Sequence, residues 1–314
     1  MASAVVFAYH NVGVRCLSVL LAHGVDVSLV VTHEDSPTET IWFDSVERLA
    51  RLHDLDVAKP VDPNASAFVG RIAALRPDFL FSFYYRQMLG SALLGLARRG
   101  ALNMHGSLLP KYRGRVPINW AILKGEHETG ATLHYMVEKP DAGEVVAQQA
   151  VPILPEDTAL EVFGKVTLAA EMVLDRSLPS LLAGRAPRTP QDLSKGSYFG
   201  GRRPEDGRID WSRSAREIHD LVRAVAPPYP GAFTEVEGRT VRILRTLNDG
   251  RTGPHPGPAL YCESGRCYAQ CGDARLLRVL AMQVDGTMLN STSFEQIGHA
   301  PPARLPLATP SRIP

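Results

Sequence analysis

The first half of the chain alternates apolar runs with amphipathic stretches, and this alternation constrains the fold more than any other feature. The runs AVVFAYH and DFLFSFYY are apolar on both faces, as strands buried inside a sheet are. Between such runs, VGVRCLSVLLAHG and FVGRIAALRP space their apolar residues three and four apart, as amphipathic helices do. Doubly buried strands that alternate with helices predict an α/β fold, with a mostly parallel sheet covered by helices on both faces.

The second half of the chain predicts a separate, β-rich domain. After a helical stretch at 159–183, the segment GRAPRTPQDLSKGSYFGGRRPEDGR is rich in glycine, proline and charge, as linkers and surface loops are. Beyond it, FTEVEGRTVRILRTL alternates around a Glu-Gly turn, as a hairpin does, and several short strands follow. We therefore predict four segments: a first domain at 1–186, a linker at 187–205, a β-rich domain at 206–300 and a disordered tail at 301–314.

Charge and hydropathy limit the partners and the compartment. The 314 residues carry a formal net charge of +1, so the whole-chain charge gives no reason to expect a nucleic acid or an anionic membrane. The start MASAVVFAYHNVG lacks the basic segment of a signal peptide, and no run of about 18 apolar residues suggests a membrane span. These features predict a soluble, cytoplasmic protein.

The cysteines predict neither a disulfide framework nor a metal site. Cys262, Cys267 and Cys271 form a C-x4-C-x3-C cluster, while Cys16 stands alone. The cluster lacks the C-x2-C spacing of structural zinc sites and has no histidine close by in the sequence. We therefore expect reduced thiols within strands and no bound metal.

The turn after the first strand argues against a dinucleotide cofactor. AYHNVGVR contains a single glycine, Gly13, whereas the close approach of a pyrophosphate needs the three glycines of G-x-G-x-x-G. The chain also lacks a Walker loop. The sheet is therefore expected to be Rossmann-like in fold without binding NAD or a P-loop nucleotide.

A polar stretch follows the predicted strands where ligands bind in open parallel sheets. In ALNMHGSLLPKYRGRVPINW, Asn103 and His105 share one face of an extended segment, and Met104 faces the core. An asparagine amide can donate to a developing oxyanion, and a histidine exchanges protons near neutral pH. Taken alone, the pair could equally brace a loop. Ser107 has no evident base beside it and is expected to be a turn or capping hydroxyl.

Asp141 lies about thirty-five residues further on, in the turn EKPDAGE between the strand-like segments ATLHYMV and VVAQQ. An aspartate in such a turn often makes only a local side-chain bond. Alternatively, its carboxylate faces His105, holds the imidazole in place and favours its protonated form. The residues alone leave both interpretations open.

These segments together resemble one family. N-x-H-x-S-L-L-P-x-Y-R-G followed by H-x-M-V-x-x-x-D-x-G is similar to the 10-formyltetrahydrofolate-dependent formyltransferases, and the resemblance covers nearly the whole chain. It implies a Rossmann-like catalytic domain, a small C-terminal OB-like β-barrel and formyl transfer from 10-formyltetrahydrofolate to a primary amine. It also implies that Asn103, His105 and Asp141 form the catalytic triad.

The resemblance further implies two sets of binding residues, largely through backbone contacts for the folate. The two arginines among the sugar contacts would suit a diphosphate, although a solvated linker explains them as well, and the extra glycine in FGGRR leaves their register open. The folate contacts implied are Gln87, Met88, Leu89, Arg115, Val137, Glu138, Lys139, Pro140 and Asp141, and the sugar contacts are Tyr9, His10, Arg202 and Arg203.

Within the family, VVFAYHNVG, FSFYYRQML and YFGGRRPEDGRIDW resemble the branch that formylates UDP-4-amino-4-deoxy-L-arabinose for lipid A modification and polymyxin resistance. Members that act on methionyl-tRNA carry a basic loop after the second strand. Here HEDSPTETIWFD and the residues just after it hold five acids, and no lysine or arginine lies between His33 and Arg48. A polyanionic tRNA should be repelled there.

The prediction is therefore a nucleotide-sugar formyltransferase with small-molecule partners, no tRNA and no membrane insertion. Two alternatives stay open, namely a methionyl-tRNA formyltransferase and a non-catalytic module that binds folate or a nucleotide. In the polymyxin-resistance branch a decarboxylating dehydrogenase acts in the same pathway. We expect that step to come from a separate protein.

Overall fold

The computed structural model describes residues 1–37, 39–236 and 238–289, together with the backbone of Ala303–Arg304. The chain divides into two compact units that interleave along the sequence. The first comprises Met1–Pro117, Glu128–Pro152 and Phe163–Gly200. The second comprises Ile118–His127, Ile153–Val162 and the described residues from Gly201 onward.

The helices and strands alternate at first and become mostly strands later. The strands are β1 (Ser3–Ala8), β2 (Asp26–Val31), β3 (Val57–Ala58), β4 (Phe79–Phe83), β5 (Gly100–His105), β6 (Arg113–Gly114), β7 (Glu128–Tyr135), β8 (Val145–Pro152), β9 (Tyr198–Phe199), β10 (Ala232–Val236), β11 (Arg239–Thr252), β12 (Ala259–Glu263), β13 (Arg266–Gln270), β14 (Arg275–Val284), β15 (Thr287–Leu289) and β16 (Ala303–Arg304). The helices are α1 (His10–Ala22), α2 (Val46–Leu52), α3 (Ser66–Leu75), α4 (Ser91–Leu94), α5 (Pro117–Leu123), α6 (Ala159–Leu182) and α7 (Ala215–Ala224).

A seven-stranded sheet forms the centre of the first unit, in the order β3-β2-β1-β4-β5-β7-β8. The first five strands in this order are parallel, and β7 and β8 are antiparallel to their neighbours. Phe7, Phe81 and Leu102 on its central strands are fully buried. The predicted mostly parallel sheet is thus confirmed, and the carboxyl ends of β1, β4 and β5 meet at one edge, where ligands bind in such sheets.

Two helices are shorter than their periodicity suggests. The apolar spacing from Trp42 predicts a helix there, but α2 begins at Val46, because the Ser45 hydroxyl accepts the Arg48 N–H and caps the helix. The segment GSALLGLARRG forms only the single turn of α4. After it the chain turns into β5 at Gly100, whose φ of 127° is open to glycine and strained for other residues.

The segment predicted to be a linker makes regular pairings within the first unit. Tyr198–Phe199 pair in parallel with Arg113–Gly114, and Thr189 exchanges both backbone hydrogen bonds with Val145. A short 3₁₀ turn at Leu193–Lys195 separates the two pairings. The proline, glycine and charged residues correctly predicted that this segment is exposed, but they do not reveal its pairing with Val145, 44 residues from Thr189, and with Arg113, 85 residues from Tyr198.

The second unit contains an antiparallel sheet in the order β10-β11-β14-β13-β12-β16, with β15 paired to β14. The predicted hairpin is confirmed as β10 and β11, although Glu237 in its turn lies outside the described residues. The amphipathic helix α7 packs against β11 and β14, and Trp211 lies fully buried in the core. Of the predicted disordered tail, Ala303–Arg304 pair with β12, and the rest lies outside the described residues.

The cysteines of the C-x4-C-x3-C cluster are held by strand pairing. Cys262 and Cys267 face each other across β12 and β13, with their Sγ atoms 2.6 Å apart. Cys271 is buried, and this burial raises its pKa. Among the described residues, no group of three or more histidine, cysteine or acidic side chains could hold a metal ion. Within the same residues, no helix has the length and apolar character that crossing a membrane requires.

Candidate active site

The site begins at the end of β5, which lies between β4 and β7. In this strand Met104 is 1% exposed within the core, while Asn103 is half-buried and His105 is 7% exposed. Alternation along the strand therefore turns Asn103 and His105 away from Met104, as predicted. After His105 the chain leaves the sheet in a loop that ends at β6 (Arg113–Gly114).

Asp141 approaches His105 from the turn between β7 and β8. Its Oδ1 lies 3.5 Å from His105 Nδ1, and its Oδ2 accepts a 2.8 Å hydrogen bond from the Gly114 N–H. The separation from His105 exceeds the usual hydrogen-bond range, but the two side chains are only 8% and 14% exposed, so their charges interact strongly. The interpretation of Asp141 as a carboxylate facing His105 agrees with this geometry.

Both ring nitrogens of His105 face oxygen acceptors. Nε2 lies 2.8 Å from the Tyr112 carbonyl oxygen, and Nδ1 faces the Asp141 carboxylate. An imidazole between two acceptors can donate from both nitrogens only when it is protonated. His105 therefore has an oxygen beside each ring nitrogen, which is the geometry in which a histidine can hold and transfer a proton.

The pKa of Asp141 is lowered despite its burial. Burial alone would raise this pKa, but the positive charge of His105 when protonated and the Gly114 N–H together hold it well below its ordinary range. Asp141 is consequently ionised throughout the physiological pH range. It can offset a positive imidazole without becoming protonated itself.

His134, on β7, is a site residue to which the sequence analysis assigned no role. It pairs in register with Asn103 across the strands, is 1% exposed, and has its Nε2 3.1 Å from Asn103 Nδ2 and 3.6 Å from Asp141 Oδ1. Its Nδ1 donates to the Tyr135 carbonyl oxygen at 2.8 Å, so Nε2 is the acceptor for the Asn103 amide. His134 thereby fixes which way the Asn103 side chain points.

The Asn103 amide group carries two hydrogens, and only one has a close partner. One is donated to His134, whereas Asp141 Oδ1, at 3.5 Å from Nδ2, is at the limit of hydrogen bonding. The second N–H is therefore available to a developing oxyanion at a small cost. Had the amide been free to rotate, this donor would not be preorganised.

A buried polar network shapes the loop after His105. The Ser107 hydroxyl donates to the Lys111 carbonyl oxygen at 2.7 Å, as expected for a turn hydroxyl and not for a nucleophile. Thr132 on β7 donates to the Ser107 carbonyl oxygen at 2.6 Å, and Gln148 on β8 donates to Thr132 at 2.8 Å. These bonds fix the curvature of the loop that presents the Tyr112 carbonyl to His105.

The residues predicted to contact folate lie on three segments of the first unit, namely 87–89, Arg115 and the turn 137–141. In the first, Leu89 is buried and Met88 is exposed, and the Met88 carbonyl oxygen accepts from Asn64 Nδ2 at 2.9 Å. The Gln87 amide likewise bonds a backbone carbonyl oxygen, that of Val61, at 2.9 Å. The remaining predicted contacts, which are exposed or half-buried, are Arg115 after β6 and the turn residues Val137, Glu138, Lys139 and Pro140.

A cavity of about 610 Å³ borders the turn that carries Asp141. Val137 and Ala142, on either side of Asp141, line it together with Leu94 and Ala101. The Gln191 side chain also lines this cavity and donates to the backbone carbonyl oxygens of the turn. The volume falls in the range of small-molecule pockets. Residues of this turn therefore line the cavity, while the Asp141 carboxylate of the same turn faces His105.

Tyr9 and His10, predicted to contact the sugar, lie at the carboxyl end of β1. The Tyr9 hydroxyl donates to Asp35 at 2.6 Å, and His10 adopts a left-handed φ of 68° with its ring stacked 3.9 Å from that of Phe43. Burial, with help from the Arg86 charge, lowers the pKa of His10 to about 3. His10 is therefore a neutral imidazole at the ligand-binding edge of the sheet.

Arg202 and Arg203 belong to the second unit. Arg202 lies over the Trp120 ring, with its guanidinium 5.0 Å from the ring centre, and donates to the Asp206 carbonyl oxygen at 2.7 Å. The Arg203 N–H donates to the Asp206 carboxylate at 2.7 Å, at the start of a 3₁₀ turn. The Arg202 side chain therefore has a structural role within that unit, whereas the bond from Arg203 is made by its backbone.

The acidic segment after β2 carries less free charge than its composition suggests. Every one of its five acids has a partner among the described residues, four of them cations. The pairs are Glu34–Lys59 (3.0 Å), Asp35–Tyr9 (2.6 Å), Glu39–Arg86 (2.6 Å), Asp44–Arg48 (3.3 Å) and Glu47–Arg51 (2.6 Å). The expected repulsion of a polyanion at this segment is correspondingly smaller, because these cations offset the acids.

Several solved structures share this fold, and N-formyltransferases are among them. An N-formyltransferase from Helicobacter canadensis, in complex with folinic acid and dTDP-3-aminofucose, is 18% identical with a TM-score of 0.72, and the match covers 89% of this chain and 99% of that one. A 4-N formyltransferase from Francisella tularensis is 20% identical with a TM-score of 0.62, covering 76% and 95%. HypX from Aquifex aeolicus, in complex with tetrahydrofolic acid, is 20% identical with a TM-score of 0.63, covering 93% and 46%. At these identities the likeness establishes a shared fold.

Two family models match the sequence directly. The model described as formyl transferase matches residues 16–178, which is more than half of the chain. The model described as the formyl transferase C-terminal domain matches residues 202–296. With both matches and a shared fold, the chain belongs to the formyl transferase family.

Proposed function

We propose that this enzyme transfers a formyl group from 10-formyltetrahydrofolate to the primary amine of a nucleotide-linked amino sugar, with UDP-4-amino-4-deoxy-L-arabinose as the first candidate. The observation that carries the proposal is the convergence of Asn103, His105 and Asp141 at the carboxyl end of β5, with His105 held between two acceptors. This arrangement supplies an oxyanion donor, a proton carrier and a fixed counter-charge within one buried site.

The three side chains divide the chemistry between them. The amine nitrogen forms a bond to the formyl carbon, and the second Asn103 N–H donates to the oxygen that becomes negative. Removing one such donor costs other enzymes about 3 kcal/mol of transition-state stabilisation. His105 then delivers a proton to the folate nitrogen as the bond between that nitrogen and the formyl carbon breaks. It takes up in turn the proton that the attacking amine gives up, so that His105 ends the reaction as it began. Asp141 stays ionised and balances the imidazolium.

The turn that carries Asp141 is the proposed binding site for the folate ring system. Val137 on this turn also lines the cavity of about 610 Å³, whose walls are mixed, with Arg98, Arg99 and Glu144 beside Leu94 and Ala101. The exposed carbonyl and N–H groups of the turn can bind the polar edge of a pterin through the backbone. Folate supplies the formyl group, and the turn that would bind it also carries Asp141.

The choice of a sugar amine depends on the resemblance of the quoted segments and on the relatives of known structure, which include one enzyme solved with dTDP-3-aminofucose and a sugar 3N-formyl transferase solved with dTDP. His10 and Tyr9 at the end of β1 lie along the same sheet edge as His105, two strands away. UDP-4-amino-4-deoxy-L-arabinose as acceptor would connect the enzyme with lipid A modification and polymyxin resistance.

The test is an acceptor comparison with 10-formyltetrahydrofolate as donor, following the release of tetrahydrofolate. UDP-4-amino-4-deoxy-L-arabinose, dTDP-3-aminofucose and methionyl-initiator-tRNA are compared at equal concentration. We expect turnover with a sugar nucleotide that disappears in the Asn103→Ala variant. Turnover with the tRNA alone would overturn the sugar assignment, and turnover that persists in Asn103→Ala would overturn the site.

A further inference from the structure

Gln191 makes two hydrogen bonds to the turn that carries Asp141. Its Nε2 lies 3.0 Å from the Asp141 carbonyl oxygen and 2.6 Å from the Gly143 carbonyl oxygen. Because both neighbours are acceptors, the amide can satisfy them only by presenting its NH₂ group. One side chain thus ties together both sides of the turn.

The segment that carries Gln191 is anchored to the first unit by other contacts. Thr189 donates to and accepts from Val145 at 2.9 and 2.8 Å, and Arg188 bonds Glu144 at 2.6 Å. The Arg188 guanidinium also lies 4.0 Å from the centre of the Tyr135 ring. Gln191 therefore extends from a fixed support, and it can hold the turn in place.

Asp141 needs such support because its conformation is unfavourable. Its φ of 52° lies in the left-handed region, which costs a residue other than glycine free energy unless its surroundings impose it. The carboxylate must also meet the Gly114 N–H. On either side, Arg113 and Arg115 donate their N–H groups to the carbonyl oxygens of Ser197 and Phe199 at 3.0 and 2.9 Å. The N–H of Gly114 therefore points the other way, to Asp141 Oδ2.

We propose that Gln191 is a positioning residue for catalysis, which holds the turn so that the Asp141 carboxylate meets both His105 and the Gly114 N–H. The inference depends on the proposed formyl transfer for its catalytic meaning. The Gln191 Oε1 atom supports it, since this oxygen is buried without a hydrogen-bond partner among the described residues. Among the described residues, the Gln191 amide therefore acts through its two N–H donors and not through its oxygen.

The experiment compares Gln191→Met, which removes the donors, with Gln191→Glu, which keeps the shape but places an oxygen against the two carbonyls. Gln149→Met on β8 is the matched control, because the Gln149 amide donates only to the Ala150 carbonyl oxygen. Hydrogen exchange of the Gly114 amide is measured first. This amide reports the position of the Asp141 carboxylate without any need for a substrate.

We expect Gly114 exchange to become at least about 10-fold faster in both Gln191 variants and to stay unchanged in Gln149→Met. We expect kcat to fall about 10- to 100-fold with little change in KM, as for a small misplacement of a catalytic group. In an enzyme that already carries Asp141→Asn, adding Gln191→Met should lower kcat by less than about twofold. The reason is that Gln191 acts through the Asp141 carboxylate, which this enzyme no longer has.

Unchanged Gly114 exchange in correctly folded Gln191 variants would overturn the inference, whatever the enzyme catalyses. An equal further loss of kcat in the Asp141→Asn background would also overturn it. Absence of wild-type turnover with every acceptor, together with the expected change in exchange, would instead refute the proposed function and leave the positioning of Asp141 established.

Discussion

Replacing Asp141 with asparagine keeps the shape of the side chain and removes its charge. The carboxylate lies 3.5 Å from His105 Nδ1 in a site where both side chains are nearly buried. An asparagine could still accept the Gly114 N–H, but its NH₂ group would then face Nδ1 as a donor. Nδ1 would then lose the carboxylate that faces it, and with it the counter-charge for the imidazolium that forms during proton transfer.

The size of the effect follows from that distance. Two unit charges 3.5 Å apart interact by about 5 kcal/mol at an effective dielectric constant of about 20. Part of this attraction exists already before the reaction, and the Tyr112 carbonyl oxygen still accepts from Nε2 at 2.8 Å. We therefore expect the transition state to lose about 3–4 kcal/mol, which lowers kcat roughly 10²- to 10³-fold.

Single-turnover formyl transfer at saturating substrate measures this loss apart from product release. Asp26→Asn is the control, since Asp26 is exposed at the amino end of β2, away from the carboxyl ends of the strands. The control should react at the wild-type rate. An Asp141→Asn enzyme that keeps more than about a third of the wild-type rate would refute the argument from charge.

Three further predictions concern the fold and its pH dependence. Gly114→Ala should destabilise the protein by about 1–3 kcal/mol in chemical unfolding and lower kcat, because its φ is 98° and an added Cβ would lie 2.1 Å from the Phe199 carbonyl oxygen. Trp211→Ala should cost about 3–5 kcal/mol in the same measurement, because the buried ring also donates to Thr234 at 3.0 Å, whereas the exposed-site change Leu280→Ala should cost little. The lowered pKa of Asp141 means that its ionised form stabilises the fold above about pH 4. The melting temperature of wild type should therefore exceed that of Asp141→Asn at neutral pH, and the gap should close as the pH falls below about 4; a gap that widens in acid would contradict the sign.

Local patterns were enough to predict the sheet and the placement of Asn103 and His105. Period-two alternation fixes which side chains share a face, and doubly apolar runs indicate buried parallel strands. The catalytic role of Asp141 could be predicted only from the family resemblance, because an aspartate in a turn usually bonds the backbone near it. The structure adds the reason that this turn faces His105, namely the support of Gln191 and of the Gly114 N–H.

Contacts that are set by strand register, and contacts between residues far apart in the chain, could not be predicted from the sequence. His134 meets Asn103 because β5 and β7 pair antiparallel in one register, which no residue pattern in either strand specifies. Gln191 lies fifty residues from Asp141, in a segment whose composition indicates only a linker. The pairing of the acids in the segment after β2 could not be predicted either, because cations such as Lys59 and Arg86 come from elsewhere in the chain.

The central claim is that Asn103, His105 and Asp141 act together to move a formyl group onto an amine. The most direct measurement uses 10-formyltetrahydrofolate labelled with carbon-13 in the formyl group and follows the label by NMR in wild type and in the three alanine variants. We expect wild type to transfer the label to the sugar amine as a formamide. We expect the rate of this transfer to fall at least about 100-fold in each variant while the variant remains folded. Label that appears only as free formate, or a His105→Ala enzyme that forms the formamide at the wild-type rate, would contradict it.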